Sequence, residues 1–194
     1  NKGFEFERCE APLLTPIEFI NPNYTPEDYY STSDGLVLRP ETTMGSYAYA
    51  QMLLSTHKKI KVPLCVWQHG KSFRREQDQP TKFMRLKEFY QLEFQCIYSK
   101  TTANDYPTTA MPLVRKLVED VVGECVIIDS DRIPSYATET KDIVCLKTNM
   151  EVASMSRRID FENHHVWEIA IGVDRLLYNH KSSYWGTLND KATD

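Results

Sequence analysis

The stretch FRREQDQPTKFMRLKEFYQLEFQ, residues 73–95, places charged side chains in a pattern that otherwise alternates like a buried β-hairpin. In its second half, the two-residue period of a strand puts apolar side chains on one face, with Glu88 as the exception, and we expect this face to join the core. The opposite face carries cations, an aromatic ring and a carboxylate: Arg85, Lys87, Phe89, Gln91, Glu93 and Gln95. Such a face contacts either water or a ligand.

The first arm of the predicted hairpin adds Arg74 and Glu76 on a shared strand face. Pairing the two arms would gather these two residues with Arg85, Phe89 and Glu93 on one surface. Guanidinium groups suit phosphate oxygens, an aromatic face suits a stacked base, and carboxylates suit an ammonium group or a metal ion. These residue types favour a nucleotide and an amine-bearing substrate. The alternative is an exposed hairpin whose Arg and Glu side chains pair across strands, each pair contributing about 0–1 kcal/mol.

A second candidate is Glu168, which lies mid-strand in the apolar sequence HHVWEIAIGVDRLL. A carboxylate in this setting needs a partner. Arg175 follows Gly172 in the first turn of the next predicted helix, close to the same strand end. Glu168 therefore belongs either to a ligand site or to a buried Glu–Arg ion pair, and spacing leaves both open.

These residues must be positioned by strands and short helices. Periodicity and turn residues predict a first strand in GFEFER, a hairpin turning at Asp34-Gly35, and a helix after Thr42 or Thr43 as N-cap. A second helix should end at Gly123 and a third should begin after Gly172. Further strands are predicted in VPLCVWQHGKSF, ECVIID, DIVCLK, NMEVASMS and HHVWEIAIG. The fold class is therefore α+β with a mostly antiparallel sheet flanked by helices, whose strand order the pattern does not predict.

Composition limits the class of protein. With 194 residues, 41% of them hydrophobic, the chain is long enough to bury a core as one domain. The net charge of -4 argues against coating nucleic acid by bulk electrostatics. The five widely spaced cysteines predict reduced thiols in a cytoplasmic protein, and no zinc-ligand spacing occurs. No stretch has the composition of a membrane span or a signal peptide.

Three segments occur in the order of the signature motifs of class II aminoacyl-tRNA synthetases, and the chain resembles that family. GFEFERCEAPLL resembles the end of motif 1, FRREQDQPTKFMRLKEF resembles motif 2, and EIAIGVDRLL resembles motif 3. Within the family, LRPETTMG and MEVASMSRRIDF resemble the LRPETAQG and E-x-x-G-x-A-x-R segments of glycyl-tRNA synthetases. The resemblance implies a catalytic domain over residues 1–194 that uses ATP and Mg²⁺ to activate an amino acid, with glycine favoured, and transfers it to the 3′ end of tRNA.

Matched positions imply roles for the nucleotide-binding residues. Arg74 would hold the α-phosphate of ATP, and Phe89 and Arg175 would sandwich the adenine. Arg175 would also reach the γ-phosphate. Arg85 would contact the outer phosphates, and Glu76 would fix the motif 2 loop or meet the acceptor end of tRNA.

The resemblance also implies an amino-acid pocket. Glu41, Glu93 and Glu168 would receive the ammonium group, and Glu168 would alternatively bind Mg²⁺. Arg158 would face the substrate carboxylate, and Glu151 and Ser156 belong to the matched segment before motif 3. A straight strand would put Glu151 and Arg158 on opposite faces, so both can line the site only if the strand contains a bulge.

The sequence departs from the glycyl pattern in this pocket. Ser154 and Ser156 replace the usual glycine and alanine, and Ala170 replaces a serine whose hydroxyl helps to bind glycine. The motif 1 helix that carries the family's dimer interface does not precede GFEFE, and no anticodon-binding domain fits after motif 3. We expect a homodimer if the full protein has that helix. The alternatives are a paralogue that aminoacylates an acceptor other than tRNA, and a non-catalytic accessory or nucleic-acid-binding subunit.

Overall fold

The computed structural model describes residues 3–56, 60–75, 85–101 and 106–180. Its helices are α1 (Thr43–Thr56), α2 (Tyr106–Val122) and α3 (Val173–Asn179), and a 3-10 turn covers Ile17–Phe19. The strands in chain order are β1 (Glu5–Arg8), β2 (Leu14–Pro16), β3 (Tyr30–Ser31), β4 (Leu36–Leu38), β5 (Leu64–Phe73), β6 (Glu88–Ser99), β7 (Cys125–Asp129), β8 (Ala137–Cys145), β9 (Met150–Arg158) and β10 (His164–Gly172).

A seven-stranded sheet with the order β1-β5-β6-β10-β9-β8-β7 forms the centre of the described structure. Strand β1 pairs in parallel with β5, and every other pair in this sheet is antiparallel. A smaller sheet has the order β2-β4-β3. The predicted α+β class with a mostly antiparallel sheet is confirmed. The order of the strands, which brings β10 between β6 and β9, is new information from the structure.

Apolar side chains cover both faces of the large sheet, but unequally. One face packs under α2 and α3 and includes Trp167, Ile169 and Met155. The other packs under α1 and includes Val66, Ile97 and Val166. Because successive strand residues point to opposite faces, the face under α1 is also the one that carries Glu168 and its polar neighbours.

Helix α1 begins where the sequence predicts, immediately after Thr42. The Thr42 carbonyl accepts a hydrogen bond from the backbone N–H of Ser46 (3.4 Å), but its hydroxyl donates to Glu93 on the sheet. The start of the helix is thus fixed to the sheet by a side chain that would otherwise cap it. At Gly45 a Cβ atom would collide with Ala11, so only glycine allows this close approach.

The turn and the helix end that were predicted at glycine residues are also present. Gly35 has a φ of 85° in the turn between β3 and β4, and Gly123 has a φ of 98° directly after α2. All five cysteines are free thiols, and Cys65 and Cys96 face each other across β5 and β6 with 3.6 Å between their sulfur atoms. Among the described residues, no helix is both long and apolar enough to cross a membrane.

Candidate active site

The strand registers bring distant polar residues into rows across the sheet. One row, here called the Glu168 row, runs from β6 to β8 and consists of Gln95, Glu168, Ser156 and Thr140. The next row, toward the start of β6 and the end of β10, is the Asp142 row. It consists of Glu93, Ala170, Ser154 and Asp142. All of these residues except Ser154 and Ala170 are buried. Polar side chains thus occupy the floor of the sheet on the side of α1.

A cavity of about 490 Å³ lies over these rows. The residues predicted from sequence that line it are Glu41, Arg74, Arg85, Phe89, Glu151, Ser156, Glu168 and Arg175. Glu93 and Arg158 are buried and do not belong to the lining. Glu76 lies outside the described residues. The structure therefore brings the nucleotide and amino-acid candidates from four separate segments to one cavity.

Glu168 is the most fully bonded carboxylate in this cavity. Its Oε1 accepts a hydrogen bond from the Tyr136 hydroxyl (3.1 Å), and its Oε2 accepts one from Gln95 Nε2 (2.8 Å) and an ion-paired one from Arg158. With only 4% of its surface exposed, Glu168 requires such compensation. The partner that its apolar setting demanded is Arg158 in the neighbouring strand, whereas Arg175 lines the same cavity but contacts Glu151.

Arg158 is enclosed on every side. Its Nη1 donates to Glu168, its Nε donates to Asp160 (2.9 Å), and its Nη2 also contacts Asp160. Its guanidinium carbon lies 4.4 Å from the ring centre of Tyr47 and 4.0 Å from that of Tyr136. Burial alone would lower the pKa of Arg158, but the charges of Glu168 and Asp160 outweigh it and raise the pKa. Arg158 thus holds Glu168 in place, and its predicted contact with a substrate carboxylate stays a prediction.

Glu93 is buried, and none of the described cations forms an ion pair with its carboxylate. Its carboxylate accepts hydrogen bonds from Thr42 (2.9 Å), Ser46 (2.6 Å) and Gln95 (2.8 Å). Burial first, and then the negative charge of Glu168, raise the pKa of Glu93 to about 7. The surroundings of Glu93 therefore favour its protonated form more than water does.

Glu41 has one bonded and one unbonded oxygen. Its Oε2 accepts a hydrogen bond from the Tyr24 hydroxyl (2.8 Å) and lies 3.9 Å from Arg74 Nη2. Among the described residues, neither its buried Oε1 nor the buried Oε1 of Gln95 has a hydrogen-bond partner. Burial raises the pKa of Glu41 although Arg74 opposes the rise. Buried acceptors of this kind suit a ligand that donates hydrogen bonds, as an ammonium group does.

Arg74 lies at the mouth of the cavity between two aromatic rings. Its guanidinium carbon lies 5.5 Å from the ring centre of Tyr24 and 5.2 Å from that of Phe89, and its Nε donates to the Pro40 carbonyl (3.0 Å). On the other side of the cavity, Arg175 Nη1 donates to the Glu151 carbonyl (2.8 Å). Two guanidinium groups and one aromatic ring in the lining of one cavity suit a nucleoside triphosphate.

Strand β9 contains the bulge that was expected if Glu151 and Arg158 were to share a face. Ile143 on β8 pairs with Ala153 but Val144 pairs with Glu151, which leaves Val152 as the extra residue. This register shift brings Glu151 to the cavity side, where it lies 3.7 Å from Arg175.

Magnesium binding at Glu168 stays a prediction, and protein donors already contact both of its carboxylate oxygens. Oε2 of Glu168 accepts two hydrogen bonds, from Gln95 and Arg158, and Oε1 accepts one, from Tyr136. Within the described part of the chain, no group of three or more His, Cys, Asp or Glu residues is arranged to hold a metal ion. A magnesium ion in this cavity would therefore depend on ligand oxygens from the nucleotide.

Sequence reasoning missed several residues of the site. Tyr24, Tyr47 and Tyr136 lie in a loop, on α1 and just before β8, and their contacts depend on tertiary packing that no short motif encodes. The alternation of the strands did indicate two further positions. Gln95 lies in phase with Glu93 on β6, and Asp142 lies in phase with apolar residues of β8. The signal was incomplete without the strand order.

Two solved structures of pyrrolysyl-tRNA synthetase from Desulfitobacterium hafniense share this fold. They match with TM-scores of 0.66 and 0.67, each with 18% sequence identity over 89% of this chain and 62% of theirs. The sheet and its flanking helices thus define the fold of a class II synthetase.

The sequence agrees with the fold. Residues 4–125 match the family described as tRNA synthetases class II core domain (F), and the chain belongs to this family. A curated relative, the glycine--tRNA ligase of Mycoplasma genitalium, is 26% identical in an alignment that covers 73% of this chain. The chain spans 38% of the length of that relative.

Proposed function

We propose that this chain activates an amino acid with ATP to form an aminoacyl-adenylate, with glycine as the favoured substrate and the 3′ end of tRNA as the acceptor. The observation that carries the proposal is one cavity whose lining combines Glu41, which has a buried oxygen without a donor among the described residues, with Arg74, Arg175 and Phe89. The first group suits an ammonium group and the second suits a nucleotide. Both ligands are needed for adenylate formation.

The chemistry requires no covalent nucleophile from the protein. An oxygen of the substrate carboxylate attacks the α-phosphorus, a new P–O bond forms, and the bond to the β-phosphate breaks as pyrophosphate leaves. Catalysis is then positioning together with charge stabilisation. Arg74 is the group proposed to neutralise the attacked phosphate, Phe89 and Arg175 to hold the adenine, and Arg85 to contact the outer phosphates. Mg²⁺ is proposed to enter with ATP.

At the amino-acid end, Glu41 and Gln95 are proposed to accept hydrogen bonds from the ammonium group. The buried Glu93 would add negative charge behind the pocket lining, and Glu168, held by its hydrogen bonds, would form part of that lining. The matched LRPETTMG segment and the glycine--tRNA ligase relative favour glycine. Ser154, Ser156 and Ala170 are the positions at which this pocket differs from the glycyl pattern, so the choice of amino acid needs a direct test.

The test is amino-acid-dependent exchange between ATP and pyrophosphate, measured with each of the twenty amino acids in the presence of Mg²⁺. We expect exchange with glycine, and loss of exchange in Arg74→Ala by a factor of about 10² to 10³, since a preorganised charge at the reacting phosphate is removed. The matched control is Arg115→Ala, because Arg115 is an exposed arginine of α2 paired with Glu119 far from the cavity. Exchange with a different amino acid and not with glycine would overturn the proposed preference for glycine but not the proposed activation reaction. No exchange with any amino acid would overturn the proposed activity.

The acceptor is tested separately with tRNA. Charging of tRNA by this chain would exclude the paralogue that uses another acceptor, whereas exchange without charging would favour it. Binding of nucleic acid or of a protein partner without any ATP affinity would favour the non-catalytic accessory subunit. In that case Arg74→Ala and Arg175→Ala would leave the binding unchanged. A cytoplasmic homodimer is the assembly we propose, testable by light scattering on the full protein.

A further inference from the structure

Four of the five cysteines lie in pairs on neighbouring strands, although all five are widely spaced in the sequence. Cys65 on β5 lies directly opposite Cys96 on β6, and Cys125 on β7 lies directly opposite Cys145 on β8. In the first pair the two sulfur atoms are 3.6 Å apart and in contact. This pair, here called the β5–β6 dithiol, therefore places two thiol groups close enough to be joined by one covalent bond.

The backbone that carries this dithiol has a spacing that suits a disulfide. Directly opposite residues of an antiparallel strand pair have Cα atoms about 4.5 or 5.5 Å apart. Both distances lie within the range of roughly 4.4–6.8 Å that separates the Cα atoms of disulfide-bonded cysteines. A bond between the two sulfur atoms of Cys65 and Cys96 therefore needs side-chain rotation but no displacement of β5 against β6.

Cys96 is the member of the dithiol that a small reagent in solution can reach. Its side chain is only partly buried, whereas Cys65 is 1% exposed. The contact with Cys96 first, and burial second, raise the pKa of Cys65, so the Cys65 thiol keeps its proton. Because thiol–disulfide exchange begins at an accessible sulfur, Cys96 is the thiol that reacts first and Cys65 is the one that follows.

The other three cysteines are less suited to begin such an exchange. Cys125 and Cys145 are 5% and 1% exposed, and Cys125 Sγ donates a hydrogen bond to the Gly123 carbonyl (3.4 Å). Burial first, and then the charge of Cys145, raise the pKa of Cys125 to about 11. Cys9 is also buried, and burial first and the charge of Glu93 second raise its pKa to about 11. The structure therefore distinguishes one cysteine pair from the rest.

We propose that the β5–β6 dithiol is a reversible modification site, which a small disulfide oxidant of the class of oxidised glutathione converts to an intramolecular disulfide. Cys96 loses its proton to solvent and attacks one sulfur of the oxidant, so a mixed disulfide forms and one thiolate leaves. Cys65 then attacks Cys96 Sγ, and its proton passes to the second departing thiolate. One disulfide has been reduced to two thiols, and two protein thiols have been oxidised to one disulfide. The bond ties β5 to β6 on the face of the sheet opposite the cavity.

The experiment treats the folded chain with oxidised glutathione, removes the oxidant, and then unfolds the protein and alkylates the remaining thiols. Trypsin places Cys65 in the peptide 62–71 and Cys96 in the peptide 88–100, and mass spectrometry identifies both. We expect these two peptides to become linked over minutes to hours, the other cysteines to be alkylated, and dithiothreitol to reverse the link. Cys65→Ala should stop at one glutathione adduct on Cys96, and Cys96→Ala should leave Cys65 unmodified. The matched control is Cys145→Ala, which breaks the other pair and should form the link as the wild type does.

Thermal unfolding checks that each variant is folded, and the wild-type result decides the proposal even where a variant is not. Alkylation of all five cysteines in the wild type would overturn the modification site, and so would a glutathione adduct on Cys96 that never gives way to the link. Faster linkage of Cys125 to Cys145 would overturn the choice of pair. Linkage that is equally fast in urea would show that the folded geometry plays no part. The readout is a mass and requires neither ATP nor an amino acid, so a failure of this inference is distinguishable from a failure of the proposed function.

Discussion

Three buried carboxylates at the cavity floor differ in how far the protein itself compensates them. Glu168 has an arginine, a tyrosine and an amide as donors. Glu93 has only uncharged donors, and Glu41 has one oxygen without any donor. The uncompensated negative charge is therefore concentrated at Glu41 and Glu93. A cationic substrate group would gain most from binding there.

The raised pKa of Glu93 predicts a pH-dependent stability. A carboxyl whose pKa is 4.5 when unfolded and about 7 when folded stabilises the protein fully below pH 4.5, and this contribution is lost as the pH rises through about 7. The difference corresponds to a loss on the order of 3 kcal/mol over that window. Urea unfolding between pH 5 and pH 8 should show the loss, and Glu93→Gln should remove it. A wild-type slope that Glu93→Gln leaves unchanged would contradict the role of Glu93.

Between elements, the contacts of Arg158 join β9, β10 and α1. Its ion pair with Glu168 links the two strands, and its contact with the Tyr47 ring reaches the helix. The bulge at Val152 places Glu151, near the start of β9, on the cavity side of the sheet. The pocket wall therefore depends on one arginine and one register shift.

Removing Arg158 tests how much the fold depends on the ion pair between Arg158 and Glu168, here called the Arg158 clamp. Arg158→Met should lower the free energy of unfolding by about 3–5 kcal/mol, because Glu168 is left buried with an uncompensated charge. The double variant Arg158→Met/Glu168→Gln should recover part of the loss, since the orphaned charge is gone. Urea unfolding of the two single variants and the double variant measures the coupling. A double variant whose loss equals the sum of the single losses would show that the clamp does not exist.

The approach of α1 to the segment after β1 gives a second prediction at this scale. Gly45→Ala should destabilise the fold by roughly 1–3 kcal/mol or more, because the new Cβ would overlap Ala11. Ser55→Ala, an exposed position near the end of the same helix, is the control and should change the unfolding free energy by less than about 0.5 kcal/mol. Thermal and urea unfolding report both values. Wild-type stability of Gly45→Ala would mean that helix and segment lie farther apart.

Elements were easier to predict from sequence than the contacts between them. Alternation in HHVWEIAIG and the glycine stops at Gly35 and Gly123 act over a few residues, so the strands and turns were predictable. The partner of Glu168 was not, since Arg158 is brought to it by the pairing of β9 and β10. The bulge in β9 was predicted only as a condition for sharing a face. Asp142 and Tyr136 needed the whole sheet to be recognised.

At the scale of the molecule, the large sheet has one face that packs against helices and one face that also carries the candidate site. The face under α2 and α3 is apolar, while the face under α1 changes from apolar near Val166 to polar at the cavity. Residues from the segment before α1, from the β5–β6 hairpin and from β9, β10 and α3 meet there. This convergence, together with membership of the class II synthetase core family, supports adenylate formation as the shared task of these residues.

Direct detection of the adenylate tests this account. The chain is incubated with α-phosphate-labelled ATP, glycine, Mg²⁺ and pyrophosphatase, and the labelled products are separated. The account predicts that labelled glycyl-adenylate forms on the wild-type protein and on Arg115→Ala but is lost in Arg74→Ala. A folded wild-type protein that binds ATP yet forms no adenylate with glycine or any other amino acid would contradict it.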